Sequence, residues 1–237
     1  MLENKISSPL SSAMQETISS AIPTLATYAE LGVDSFMDEG LFKSIPFVSS
    51  AISLFKIGSA IHDLHAIKQL TLFIDAINDG IGDETQREEY LSKLLEKKAF
   101  MEKQLKYIVL LLDRYIEYDK PKMLASLYLA YLRDCMDWDE FAIFATMIDR
   151  LFRKDFILLC HNETVISHHD QVDDSVLRLI ALGLMKEMTT LSGFEVTGTG
   201  GLSWTGHSLQ KVAMRERTYK RTPIGDKLVN LLYTASV

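Results

Sequence analysis

Helix breakers are scarce in this chain, and that scarcity limits its fold more than any other feature. Its 237 residues include 5 prolines and 12 glycines, and five of those glycines crowd into Gly193–Gly206. Proline removes a backbone donor and clashes with the preceding turn, and glycine weakens a helix through its extra freedom. Long stretches without either predict a mainly α protein, a multi-helix bundle with a differently built C-terminal end.

The composition supports a buried core. The chain is 47% hydrophobic and 24% charged, the balance of a globular protein. Its length suits a sizeable core without disulfides or metals. Two cysteines, Cys135 and Cys160, are too few for a disulfide framework and fit a reducing compartment. The start, Met1-Leu2-Glu3-Asn4-Lys5, has no basic run followed by an apolar one, so a cytoplasmic location is expected. The net charge of −7 argues against a nucleic-acid binder that uses its whole surface.

Hydrophobic spacing places the elements. Residues 10–38 read as one or two helices broken at Pro23, with Gly40 as the C-cap. Pro46 opens a helix to Ile61. Over residues 63–79, Ile67, Leu70, Ile74 and Ile77 form one stripe. Asp83 is the expected N-cap of a segment over 84–116, with Gln86 as its capping-box partner. Met101, Leu105, Ile108, Leu112 and Tyr115 line one face of that segment.

A helix over 120–134 follows, with Leu124, Leu127 and Tyr131 inward. Asp137, with Glu140 at the capping-box position, starts a helix that runs through Phe141, Phe144, Ile148, Leu151 and Phe152 towards Leu159. The polar stretch Cys160–Asp174 reads as a linker. Beyond it come a helix over 173–188 carrying Val176, Leu177, Ile180 and Leu184, β-prone stretches at Phe194–Thr199 and Thr218–Thr222, and a last helix, Ile224–Tyr233, opened by Pro223. The expected organisation is a helical bundle over 1–160 and a wing-like helix–β-hairpin–helix unit over 172–237.

Chemistry-bearing motifs are sparse. His62 and His65 fall three apart on a helix, a spacing that suits a shared ion but equally suits polar helix-start residues. His168-His169-Asp170 lies in the linker. Gly198-Thr199-Gly200-Gly201 lacks the following Lys-Ser/Thr of a phosphate loop. No nucleophile elbow or paired-acid pattern occurs. Both cysteines fall in apolar stretches and read as inert core thiols. These readings predict no metal, no cofactor, no small-molecule substrate and no catalytic residues.

Two stretches point to binding instead. Lys211, Arg215, Arg217, Lys220 and Arg221 surround Tyr219, with Trp204 and His207 nearby, a local reversal of charge in an acidic chain. Hairpin arms of this kind can track phosphates, so nucleic-acid contact is one reading; charges that guard exposed strand edges are the other. Leu41–Ile61 is the second stretch. Its uncharged part, Ser44–Phe55, is well short of the ~20 residues that span a bilayer. Phe47, Val48, Ile52 and Phe55 could meet a lipid interface or a partner helix, or could sit in a soluble core.

The series Ile45-Pro46, Lys56-Ile57, His62-Asp63 and Lys68, then Leu110-Leu111-Leu112-Asp113-Arg114, then Lys122, Asp137 and Glu140-Phe141, resembles a group of bacterial proteins common in prophage and mobile-element settings. The ending, Tyr219 through Leu228, resembles the strand-to-helix close of winged-helix and abortive-infection-type helical proteins. The resemblance touches most of residues 40–230 and brings no catalytic motif. It implies a helical bundle and a role in phage–host conflict. The expected function is a non-enzymatic interaction or effector protein with a protein partner or a second copy of itself. A nucleic-acid binder using the basic hairpin, or a membrane-active effector using residues 41–61, are the alternatives.

Overall fold

The structure is a computed structural model, and it describes residues 9–20, 44–54, 60–96, 98–167, 172–188 and 217–234. It is mainly helical, with a small three-stranded antiparallel sheet near the C-terminus. The chain divides into two compact units, one of Met1–Arg150 with Leu231–Val237, the other of Leu151–Asn230. The division falls between Arg150 and Leu151, nine residues before the linker expected from composition.

The first unit contains α1 (Leu10–Ser19), α2 (Pro46–Leu54), α3 (Ala60–Asp79), α4 (Glu84–Glu96), α5 (Lys98–Arg114), α6 (Lys120–Leu132) and α7 (Trp138–Arg150). α3 packs on α2, α5 and α6, α1 packs on α2, α4 and α5, and α6 packs on α7. Two of the expected stripes are buried throughout. Ile67, Leu70, Ile74 and Ile77 of α3 are buried, as are Met101, Leu105, Ile108 and Leu112 of α5 with Tyr115 just beyond it. Burying such side chains contributes about 1.5–3 kcal/mol each before the cost of ordering them.

Rings continue this packing. Phe47 lies 6.4 Å from Phe73, Phe73 lies 6.2 Å from Tyr128, and Tyr128 lies 6.2 Å from Phe141. Trp138 stacks on Phe141 at 4.8 Å. These spacings lie within the range favoured for aromatic pairs.

Polar side chains set the helix ends. Asp83 accepts the Gln86 N–H at 2.9 Å, and Asp137 accepts the Glu140 N–H at 2.8 Å, so both expected N-caps form. Gln86 returns its Oε1 to the N–H of Gly82 at 3.2 Å, one residue earlier than a standard capping box. α6 stops at Leu132, short of the expected 134. The Cys135 N–H reaches the Ala130 carbonyl at 3.0 Å, and the Asp134 N–H reaches that of Tyr131 at 3.0 Å. Asp134 is left-handed, with φ 58°. This pattern is a Schellman close with an aspartate where glycine is usual.

The second unit contains α8 (Arg153–His161), β1 (Thr164–Ser167), α9 (Asp174–Ala181), β2 (Met185–Met188), β3 (Arg217–Arg221) and most of α10 (Pro223–Thr234). α8 packs on α9, and α9 on β2. Three expectations are corrected here. The helix expected from Asp137 towards Leu159 breaks at Leu151-Phe152, because Phe152 is extended (φ −89°, ψ 157°) and its N–H turns to the Asp155 carboxylate at 3.1 Å. The helix expected over 173–188 ends at Ala181. Gly183, at φ 72°, closes it with a second Schellman pattern, in which the Leu184 N–H meets the Leu179 carbonyl and the Gly183 N–H meets that of Ile180. Residues 185–188 then run as a strand. The stretch read as a linker holds the end of α8 and all of β1.

The break at Pro23, the cap at Gly40 and the strand at Phe194–Thr199 lie outside the described residues. Cys135, expected in the interior, is exposed in the turn after α6, while Cys160 is half-buried. The Schellman close explains this, since it carries the chain out of the apolar stripe three residues before the next helix begins.

Candidate interaction surface

β3 organises the C-terminal sheet. Arg217-Thr218-Tyr219-Lys220-Arg221 carries one large apolar ring at its centre, with polar residues on both sides. Such a strand must bury Tyr219 and turn the alternate residues outward. It lies between β1 and β2, antiparallel to both. Tyr219 faces Val165 on β1 and Glu187 on β2 in register, and its ring is buried together with Met185.

The register sets two rows on the opposite face. Thr164, Lys220 and Lys186 are cross-strand partners in one row. Ile166, Thr218 and Met188 are partners in the next. Thr164, Lys186 and Lys220 are exposed. Ile166 is 52% exposed and Met188 42%, so the second row presents apolar area to water.

The basic residues singled out from sequence divide between the faces. Arg217 lies on the Tyr219 face, where its Nε sits 4.0 Å from Glu187. Arg221 is on the same face, 2.9 Å from Asp226, and donates to the Leu159 carbonyl at 3.1 Å. Tyr219, buried, has no free ring face to offer a base. Lys220 alone of the described set points to the open face, with Glu163 at 3.6 Å. Lys211 and Arg215 lie outside the described residues. Among the described residues, Arg217 and Arg221 are therefore on one face and Lys220 on the other, not in one patch. The register brings Lys220 beside Lys186, a pairing hidden in the sequence because residues 185–188 follow directly on the apolar spacing of α9.

Phe47 and Val48 are fully buried in the first unit, Ile52 is half-buried, and Phe55 lies outside the described residues. The Phe47 N–H donates to Thr17 Oγ1 at 3.0 Å, which ties α2 to α1. The two aromatic and aliphatic anchors of that stretch are thus core side chains. Among the described residues, no helix is long and apolar enough to cross a membrane.

The histidines have structural company. His65 Nε2 sits 2.6 Å from the Tyr115 carbonyl, and Gln69 donates to the same oxygen at 2.9 Å. Together they satisfy a carbonyl just beyond the end of α5. The side chain of His62 and the whole of His168-His169-Asp170 lie outside what the structure describes. Among the described residues no group of three or more His, Cys, Asp or Glu side chains could hold a metal ion.

Asp155 and Arg178 form the most buried charged pair among the described residues of the unit. Asp155 is fully buried and Arg178 partly exposed. Burial works against the aspartate's charge, but hydrogen bonds from Arg178, the Phe152 N–H and Ser175 outweigh it and hold its carboxyl below the usual range. The Ser175 N–H, with Lys154 behind it, likewise lowers Asp173. Arg178 also lies 5.0 Å over the Phe152 ring. This cluster fixes α8 to α9 and presents no free nucleophile or acid.

Set against protein-family models, curated proteins and solved structures, the chain matches none of them.

Proposed function

We propose that this protein works by binding rather than catalysis, as a bacterial effector in phage defence, and that it meets its partner on the open face of the C-terminal sheet. One observation carries the reading: Ile166 and Met188, on the two outer strands, expose about half their area on the same face as Lys186 and Lys220. Exposed apolar side chains beside charge, on a rigid sheet held by a buried ring, are what a partner surface covers. The phage-defence setting is supported by the resemblance of residues 40–230 to prophage-associated helical proteins.

The test is the plating efficiency of a phage panel on bacteria that express the protein at low level. Protection by the wild type is expected, together with its loss in Ile166→Asp/Met188→Asp, whose melting temperature should match the wild type. Absence of protection across the panel overturns the phage-defence reading. Full protection by the double variant removes the sheet face as the working surface.

A further inference from the structure

Lys186 and Lys220 are direct cross-strand partners, and both are exposed. Like charges placed opposite each other on one sheet face repel and weaken the pairing. Lys220 has Glu163 at 3.6 Å, whereas Lys186 has no ion-pair partner among the described residues. The chain around them is acidic, with net charge −7, so carboxylates to neutralise both ammoniums were not scarce in composition. The pair presents two ammoniums side by side, and Thr164 adds a hydroxyl to the same row.

We infer that the open sheet face binds single-stranded nucleic acid, with its phosphates on the Thr164–Lys220–Lys186 row and its bases against the Ile166–Thr218–Met188 row. The inference rests on the open face being the working surface. Neighbouring strands stand ~4.8 Å apart, and alternate residues of a strand ~6.8 Å apart, so donors and apolar groups form parallel lines a few ångströms from one another. A strand with splayed bases offers that pairing of backbone charge and flat apolar surface. A duplex keeps its bases stacked inside and would meet only the lysines. This site differs from the basic hairpin suggested by sequence. Arg217, Tyr219 and Arg221 lie on the other face, and Lys186, Thr164, Ile166 and Met188 replace them.

Fluorescence anisotropy with a short labelled oligothymidylate and oligouridylate tests the inference, with a duplex of the same length and polyglutamate as competitors. Binding is expected to fall with salt at a log–log slope of about −1.4, the value for two phosphate contacts on a single strand. Lys186→Glu should weaken binding by about tenfold or more and flatten the slope, while Lys186→Arg retains it. Lys122→Glu, an exposed lysine of α6 in the other unit, makes the same change in net charge and should bind like the wild type. The inference is overturned by absence of oligonucleotide binding, by equal effects of Lys186→Glu and Lys122→Glu, or by duplex or polyglutamate competing as well as the single strand. Its failure is separable from that of the proposed function. Loss of protection in Ile166→Asp/Met188→Asp without any oligonucleotide binding keeps the effector reading and discards the ligand. Oligonucleotide binding without phage protection does the reverse.

Discussion

Asp155 grips Arg178 with both carboxylate oxygens, at 2.8 Å to Nε and 2.6 Å to Nη2, while also accepting the Phe152 N–H that opens α8. One carboxylate thus ends the run of α7, caps α8 and holds α9. Asp155→Ala should cost about 2–3 kcal/mol, a figure kept below that of a fully buried pair because Arg178 is partly exposed. The pH dependence has a defined sign. The folded-state pKa of Asp155 is lowered, so its contribution is present above the ordinary aspartate range and is lost as pH falls through the folded value. Thermal melts from pH 7 downward should show a decline below about pH 4 that is smaller in Asp155→Asn. Superimposable profiles would rule out this role.

Two glycines of the second unit do different jobs. Gly183 supplies the left-handed residue that ends α9, and Gly183→Ala should cost about 1 kcal/mol in backbone strain. Gly225, on the first turn of α10, lies against the backbone carbonyl of Leu184, and a Cβ there would collide with it. Since backbone has no rotamer to move, Gly225→Ala should be the more damaging change. Urea titrations of the two variants would show their order.

Buried tyrosines give a third prediction. Tyr128 is fully buried in the aromatic core, and its hydroxyl has no hydrogen-bond partner among the described residues. Burial holds its phenol well above the usual ionisation range. Removing an unpartnered buried hydroxyl relieves a desolvation cost, so Tyr128→Phe should stabilise the protein by about 1 kcal/mol. Phe73→Ala, beside it, should destabilise by about 3–5 kcal/mol through the cavity it leaves. A Tyr128→Phe variant less stable than the wild type would show that the hydroxyl is satisfied.

The N-caps offer a fourth. Asp83→Ala and Asp137→Ala each remove one acceptor from an exposed helix start, and each should cost about 1 kcal/mol. Asn at either position keeps the acceptor and should recover most of the loss in a thermal melt.

Most of the helical architecture was legible in sequence because its signals are local. The stripe of Ile67, Leu70, Ile74 and Ile77 and the caps at Asp83 and Asp137 each need only a few consecutive residues to be recognised, and each was found where expected. The strands were harder. β1 and β2 are four residues each, too short for alternation to stand out against a helical pattern. Leu184 continued the spacing of α9 by chance, and only the left-handed Gly183 separated the two. Cys135 was misplaced for a related reason, since an aspartate, not a glycine, made the turn that exposes it.

The candidate surface shows the same limit. Tyr219 and its basic neighbours were visible as a cluster along the chain, but a strand sends alternate residues to opposite faces. Which cations share a face therefore depends on register, and register is a property of three segments together. Sequence alone determined that the chain is mainly helical, where most helices start, and that a β-prone basic stretch precedes the last one, because each of these follows from propensity and periodicity over a few turns. Only the tertiary structure decided that Lys186 stands beside Lys220, that Ile166 and Met188 share their face, and that Phe47, Val48 and Tyr219 are buried, because those facts depend on pairing and packing between residues far apart in the chain.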